Sequence, residues 1–204
     1  MRMFDQKKFV RSVLQQRPNW SALGNMFYLS PADHVLAGVG YERVPDGGYI
    51  WRYAYPLYDP IRFFHLSYGE RLPVPEGFIG DDDIGEGELA DEFLKRTEIV
   101  ERGLSNTSTV DGVIGLLTRK IEAGLPIARL ARAASYIMAM NEVRASEDLQ
   151  AIQATNGYGI LGDAKKALPL LEAAFARSIG EARRLLLEWE ESFCRTNGVN
   201  RGTI

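Results

Sequence analysis

The chain has 204 residues, of which 46% are hydrophobic and 25% charged, with a formal net charge of −3. That balance is ordinary for a globular protein able to bury a core. A slight excess of acid, with basic residues dispersed among the acids, excludes nucleic-acid binding as the main purpose, because neutralising phosphates takes a concentrated excess of Lys and Arg.

Phe4 to Gln16 reads as an amphipathic helix, with Phe9, Val10, Val13 and Leu14 at helical spacing and Arg17-Pro18 as its stop. It is expected to cover one face of a sheet. Asn25 to Leu29 is apolar and aromatic enough for a first strand, ended by Ser30-Pro31. The stretch from His34 to Leu72 then alternates at period two, which sends successive side chains to opposite faces of a strand.

Pro45-Asp46-Gly47-Gly48 supplies a fixed φ followed by residues that accept positive φ, so the chain reverses between Val44 and Tyr49. If Val44 pairs with Tyr49, Tyr53 sits opposite Gly40 and Tyr55 opposite Gly38, so that two rings fill the space left by two glycines. Tyr49 and Trp51 extend the same face, with Glu42 opposite Trp51 as its only charge. Val35, Ala37, Val39, Tyr41, Ile50, Arg52 and Ala54 fall on the reverse face. Beyond Pro56-Leu57-Tyr58-Asp59-Pro60, Arg62 to Tyr68 alternates again and predicts a further strand.

Pro73-Val74-Pro75-Glu76-Gly77 breaks regular structure, and the carboxylates from Asp81 to Glu92 mark a linker leading into a helix start. Leu89, Phe93, Val100 and Leu104 outline a first helix of the second half. Ser108-x-x-Asp111 starts another that ends at Gly124, and Pro126 opens a third with small residues on its stripe. A shorter helix follows over Ser146 to Ala154, then Asp163 to Arg177 with Pro169 kinking or restarting it. The last helix runs from the capping box Ser178-x-x-Glu181 to Asn197-Gly198. No period of about 34 residues recurs, so an irregular bundle is expected rather than a repeat array.

The fold class is therefore α+β: an N-terminal helix with an antiparallel β-sheet of about four strands, followed by a C-terminal antiparallel helical bundle. Residues 1–75 form the helix and sheet, 76–92 the acidic linker and helix start, and 93–204 the all-helical half, free to pack with the sheet as one domain.

Several patterns resemble chemical motifs without their context. Gly157-Tyr158-Gly159-Ile160-Leu161-Gly162 has the letters of a dinucleotide loop, but a helix rather than a strand precedes it. The acids from Asp81 to Glu92 touch a calcium-loop pattern that fails at Gly85 and Glu86, where a ligand and the sharp-turn glycine belong. His34 and His65 have no Cys or Glu at zinc spacing, and no nucleophile elbow accompanies them; His65 is expected as a hydrogen-bonded sheet residue. Cys194 lacks neighbours that would lower its pKa. No cofactor and no metal site is expected. A lone cysteine, a charged start in MRMFDQKKFV and the lack of about 18 consecutive apolar residues point to a soluble cytoplasmic protein with no membrane partner.

What remains is the aromatic strand face. Glu42, Tyr49, Trp51, Tyr53 and Tyr55 form a candidate binding face, since Tyr and Trp combine apolar area with a polar tip. The preferred reading is a non-catalytic protein that binds another protein or a peptide, inhibitor- or adaptor-like. The alternative is a small-molecule-binding protein or enzyme with a pocket at the junction of sheet and helices, using Arg52, His65 and Tyr68 as its polar groups alongside Glu42. An exposed edge strand would also accept a second copy of the chain, giving a homo-oligomer.

Overall fold

A computed structural model describes residues 4–61, 63–84, 88–155 and 162–201. The first helix, α1 (Gln6–Gln16), begins where the Asp5 side chain accepts the Lys8 N–H at 2.9 Å. This cap fills one of the orphan donors of the first turn. Strands β1 (Trp20–Leu23) and β2 (Met26–Leu29) form a tight hairpin whose turn places Gly24 at a φ of 58°. β1 was absent from the expected set, because Trp-Ser-Ala-Leu is short and does not alternate.

β3 (Val35–Val44) and β4 (Gly47–Pro56) make the central hairpin. Val44 faces Gly47 across a two-residue loop of Pro45 and Asp46, so the register is two residues tighter than the Val44–Tyr49 pairing expected. A shift of two leaves every side chain on its face. Gly38 therefore faces Tyr53 and Gly40 faces Trp51. The expected cover of glycine by tyrosine exists with a changed partner: the Tyr53 hydroxyl donates to the Phe27 carbonyl at 2.9 Å on the strand beyond Gly38.

The strand expected over Arg62 to Tyr68 does not form; residues 63–68 are irregular and Arg62 lies outside the described residues. Here polar groups are satisfied locally instead of in a ladder. The Phe63 carbonyl accepts the Tyr55 hydroxyl at 3.0 Å, the Ser67 N–H donates to His65 Nδ1 at 3.3 Å, and the Gly69 N–H donates to the Leu66 carbonyl at 2.9 Å. Pairing resumes in β5 (Glu70–Arg71) and β6 (Phe78–Gly80), both antiparallel to β4. Among the described residues the sheet has six strands, ordered β1-β2-β3-β4-β5 with β6 also on β4.

Part of the segment read as a linker is thus a strand. A 3-10 turn follows over Asp81–Ile84, and two of its three acids are ion-paired: Asp81 with Arg43 at 2.6 Å and Asp83 with Arg96 at 3.0 Å. Gly85 and Glu86 lie outside the described residues.

The helices are α2 (Leu89–Thr107), α3 (Val110–Glu122), α4 (Ile127–Met138), α5 (Glu142–Ala154), α6 (Gly162–Arg177) and α7 (Ile179–Asn197). Thr109, rather than Ser108, caps α3 by accepting the Gly112 N–H at 3.1 Å. Asn141 caps α5, which starts four residues before Ser146. α6 runs unbroken through Pro169. α7 has the expected ends, with Ser178 accepting the Glu181 N–H at 3.1 Å and Gly198 left-handed at φ 65°. The glycine pattern at 157–161 lies outside the described residues. No helix among the described residues is long and apolar enough to cross a membrane.

One sheet face is covered by α1 and α2. Phe93 packs its ring 5.4 Å from Phe9 and 5.4 Å from Phe27, joining both helices to the strands beside Val39, Tyr41 and Ile50. A second cluster joins Leu36, Tyr53 and Tyr55 to Val113 and Leu117 of α3 and Phe193 of α7. A third lies among α4, α5, α6 and α7, and Tyr58 enters it from the loop after β4, its hydroxyl donating to Ser135 at 3.0 Å. Small residues on α4, Ala128, Ala131, Ala133 and Ala134, are wholly buried and let neighbouring helices approach.

A buried carboxylate closes the structure. Glu190 on α7 lies 2.9 Å from His34 Nδ1 and 2.5 Å from Arg201 Nη2, while Arg201 also bridges to Ala32 through the backbone. Its hydrogen bond raises the His34 pKa above the ordinary 6.5 despite burial, with Asp33 adding and Arg201 opposing. A raised folded-state value stabilises the fold below the unfolded pKa, and that stabilisation is lost as pH rises through the raised value. The thermal midpoint is therefore expected to fall between pH 6 and pH 9, and to fall less in His34→Gln. An equal fall in that variant would mean that His34 does not carry the effect.

Candidate functional site

Cross-strand rows on one face of the sheet show which side chains meet. Leu36 and Tyr55 form one row, and Tyr28, Gly38 and Tyr53 the next. Leu23, Met26, Gly40, Trp51 and Arg71 follow, then Glu42, Tyr49 and Phe78. Period two sets this face, but what covers it changes along the strands.

At one end the face is filled. Tyr53 and Tyr55 are 4% and 1% exposed, so these two members of the expected binding face belong to the core. Phe64 packs 5.2 Å from each ring, and Phe193 of α7 lies 5.2 Å from Tyr55. Burial holds both hydroxyls well above the ordinary phenol range, and each donates to a backbone carbonyl. A buried tyrosine needs such a partner.

At the other end the face stays half open. Leu23, Met26, Tyr49, Trp51 and Phe78 are each partly exposed. Met26 lies across Gly40, where a Cβ would collide with its sulfur and methyl. The Arg71 guanidinium sits 4.2 Å over the Tyr49 ring and 5.3 Å from that of Trp51, a cation–π arrangement with two rings. Glu42 faces Tyr49 rather than Trp51, yet one of its oxygens accepts both the Trp51 indole N–H and an Arg71 N–H, each at 2.8 Å. Tyr49 is braced from its far side by Phe78, with ring centres 5.0 Å apart. Carboxylate, indole, phenol and guanidinium therefore hold one another in place.

The expected pocket groups do not all converge on one pocket. Arg52 projects from the reverse face and pairs with Glu70. It shares with Tyr68 a cleft of about 90 Å³ between β4, α2 and α3, well below the roughly 300–1,000 Å³ of small-molecule sites. His65 is not a sheet residue. It lies in the irregular segment with its ring edge-on to Tyr68 at 4.8 Å and Tyr55 at 5.3 Å, its Nε2 3.6 Å from Asp59 Oδ2. That separation exceeds a hydrogen bond. Neither Glu42 nor Arg52, whose partners are Trp51, Arg71 and Glu70, is held against it. Burial lifts the Tyr68 hydroxyl well above its usual range and pushes the Cys194 thiol up to about 11, away from the reactive thiolate. Among the described residues no three His, Cys, Asp or Glu side chains are grouped to hold a metal ion.

No protein-family model, curated protein or solved structure matches this chain.

Sequence reading named Glu42, Tyr49 and Trp51 of this half-open end but not Arg71, Phe78, Leu23 or Met26. The signal for Arg71 was available, since it continues the same alternating stretch three residues past Tyr68. Leu23, Met26 and Phe78 come from strands whose pairing partners no local pattern names.

Proposed function

We propose that this chain is a non-catalytic binding protein that recognises a protein or peptide, in the manner of an inhibitor or adaptor, through the patch of Leu23, Met26, Tyr49, Trp51 and Arg71. One observation carries the reading: at the half-open end of the sheet, two aromatic rings are fixed by Arg71 and Glu42 before any partner arrives. Rigid aromatic anchors lose little conformational freedom on binding, and Trp, Tyr and Arg dominate the residues on which interfaces depend.

Arg71 remains exposed beyond its bond to Glu42. The fitting partner lays an apolar side chain on the row of Met26 and Trp51 and offers an oxygen to Arg71. The alternative, a small-molecule site beside Arg52 and Tyr68, is weakened by the size of that cleft. A reducing, cytoplasmic location belongs to the same proposal and is supported by the single, buried cysteine.

The test begins with proteins captured from native extract by the wild-type chain, followed by calorimetry of the purified partner against wild type and Tyr49→Ala/Trp51→Ala. Loss of a hot spot of at least about 2 kcal/mol, roughly 30-fold in affinity, is expected in a variant whose circular dichroism is unchanged. Affinity unchanged in that folded variant would remove the patch from the binding surface.

A further inference from the structure

A second surface lies along the β1 edge of the sheet, on the reverse face from the patch of Trp51. Among the described residues β1 pairs only with β2, and it ends the strand order. The Ser30 N–H donates to the Asn19 carbonyl at 2.9 Å, which fixes the alternation of the antiparallel ladder. Asn19, Ser21 and Leu23 thus turn their backbone groups toward β2, while Trp20 and Ala22 turn theirs outward. The Trp20 N–H is taken by the Arg17 carbonyl at 3.0 Å. Ala22 is left presenting both a donor and an acceptor at the edge.

Beside that edge runs an open groove of about 770 Å³, walled by α1 and lined by Val10, Leu14 and Ala22 on its apolar side. Val10 and Leu14 are only partly buried. Lys7 and Arg11, one helical turn apart and both exposed, border the same groove. Among the described residues neither forms an ion pair and no carboxylate lines the groove. This stands out in a chain of net charge −3.

We infer that the groove docks an extended acidic peptide, which adds as a strand along β1. The Ala22 N–H and C=O hold its backbone, Val10 and Leu14 take its apolar side chains, and Lys7 and Arg11 take its carboxylates. Strand addition to an open edge supplies main-chain bonds, and the flanking pockets supply specificity. Charge selects this occupant over a second copy of the chain, since edge-to-edge pairing of two copies would set two grooves of like charge against each other. Ala22 shares its row with Phe27, Val39 and Arg52, on the face opposite Trp51. The site does not rest on the proposed function.

The probes are two fluorescent peptides of about ten residues, long enough to span a strand, one alternating Glu with Val and the other Lys with Val. Anisotropy with the full chain is expected to show binding of the acidic peptide alone, weakened by salt and at least about tenfold by Lys7→Glu/Arg11→Glu, and unchanged by Trp51→Ala. Hydrogen exchange on the wild-type protein needs no variant, and there the Ala22 amide is expected to gain protection when the acidic peptide saturates. Equal binding of both peptides, none of either, full affinity in the charge-reversed variant, or an Ala22 amide that exchanges as before would each overturn the proposal.

Discussion

Phe93→Ala is expected to lower the free energy of unfolding by about 3–5 kcal/mol, the range for truncating a buried aromatic ring. Phe93 has no exposed surface, and its ring meets Phe9 of α1, Phe27 of β2 and, at 6.3 Å, Tyr41 of β3. The cavity left would border three elements that are fixed by their own hydrogen bonds, so collapse around it is incomplete. Chemical denaturation followed by circular dichroism measures the change as a lower midpoint with an unaltered slope. Phe63→Ala provides the contrast. That ring is 56% exposed, and its loss is expected to stay within about 0.5 kcal/mol. Similar losses in both variants would mean that Phe93 does not organise the α1–α2 face.

Gly38→Ala is expected to cost about 3 kcal/mol, the upper end for overpacking, although it adds a single methyl group. The new Cβ would fall on the Phe27 carbonyl oxygen, with that residue's carbonyl carbon 2.8 Å away and the Tyr28 Cα at 2.9 Å. These are backbone atoms of the neighbouring strand, so no side chain can swing aside. The same carbonyl accepts the Tyr53 hydroxyl, and displacing it would disturb that bond as well. Gly115→Ala tests the opposite case. Nothing lies within 4 Å of a Cβ at that position in α3, and the variant is expected to gain about 0.5–1 kcal/mol from a better helix former. Unfolding midpoints that move in the same direction for both variants would sink the steric argument at Gly38.

The helices were legible because their signals are local. Ser178 and Glu181 start α7 and Gly198 stops it, all within one element. The central hairpin was legible for the same reason, and its register slipped by two because Pro45-Asp46 alone completes the turn. Period two names the face of a side chain and is silent on what lies above it. Tyr49, Trp51, Tyr53 and Tyr55 share one face as read, yet Phe64 and Phe193 cover only the last two, and Phe193 belongs to the final helix. Residues 63–68 alternate as a strand would, but the Tyr55 hydroxyl and the His65 imidazole engage their backbone. Arg71 lay within the alternating stretch, but its place over two rings is a relation between strands rather than along one.

The cluster shared by Tyr55, Leu36, Leu117 and Phe193 bears on how the chain can be divided. Cleavage between residues 75 and 93 would not release two finished pieces. The first would carry Tyr53 and Tyr55 bare on the sheet, and the second would carry Phe193 and a Glu190 carboxylate that has lost His34 and keeps only Arg201. Each fragment would display the complement of the other, so the severed halves should recombine with the affinity of a core rather than of a casual surface contact.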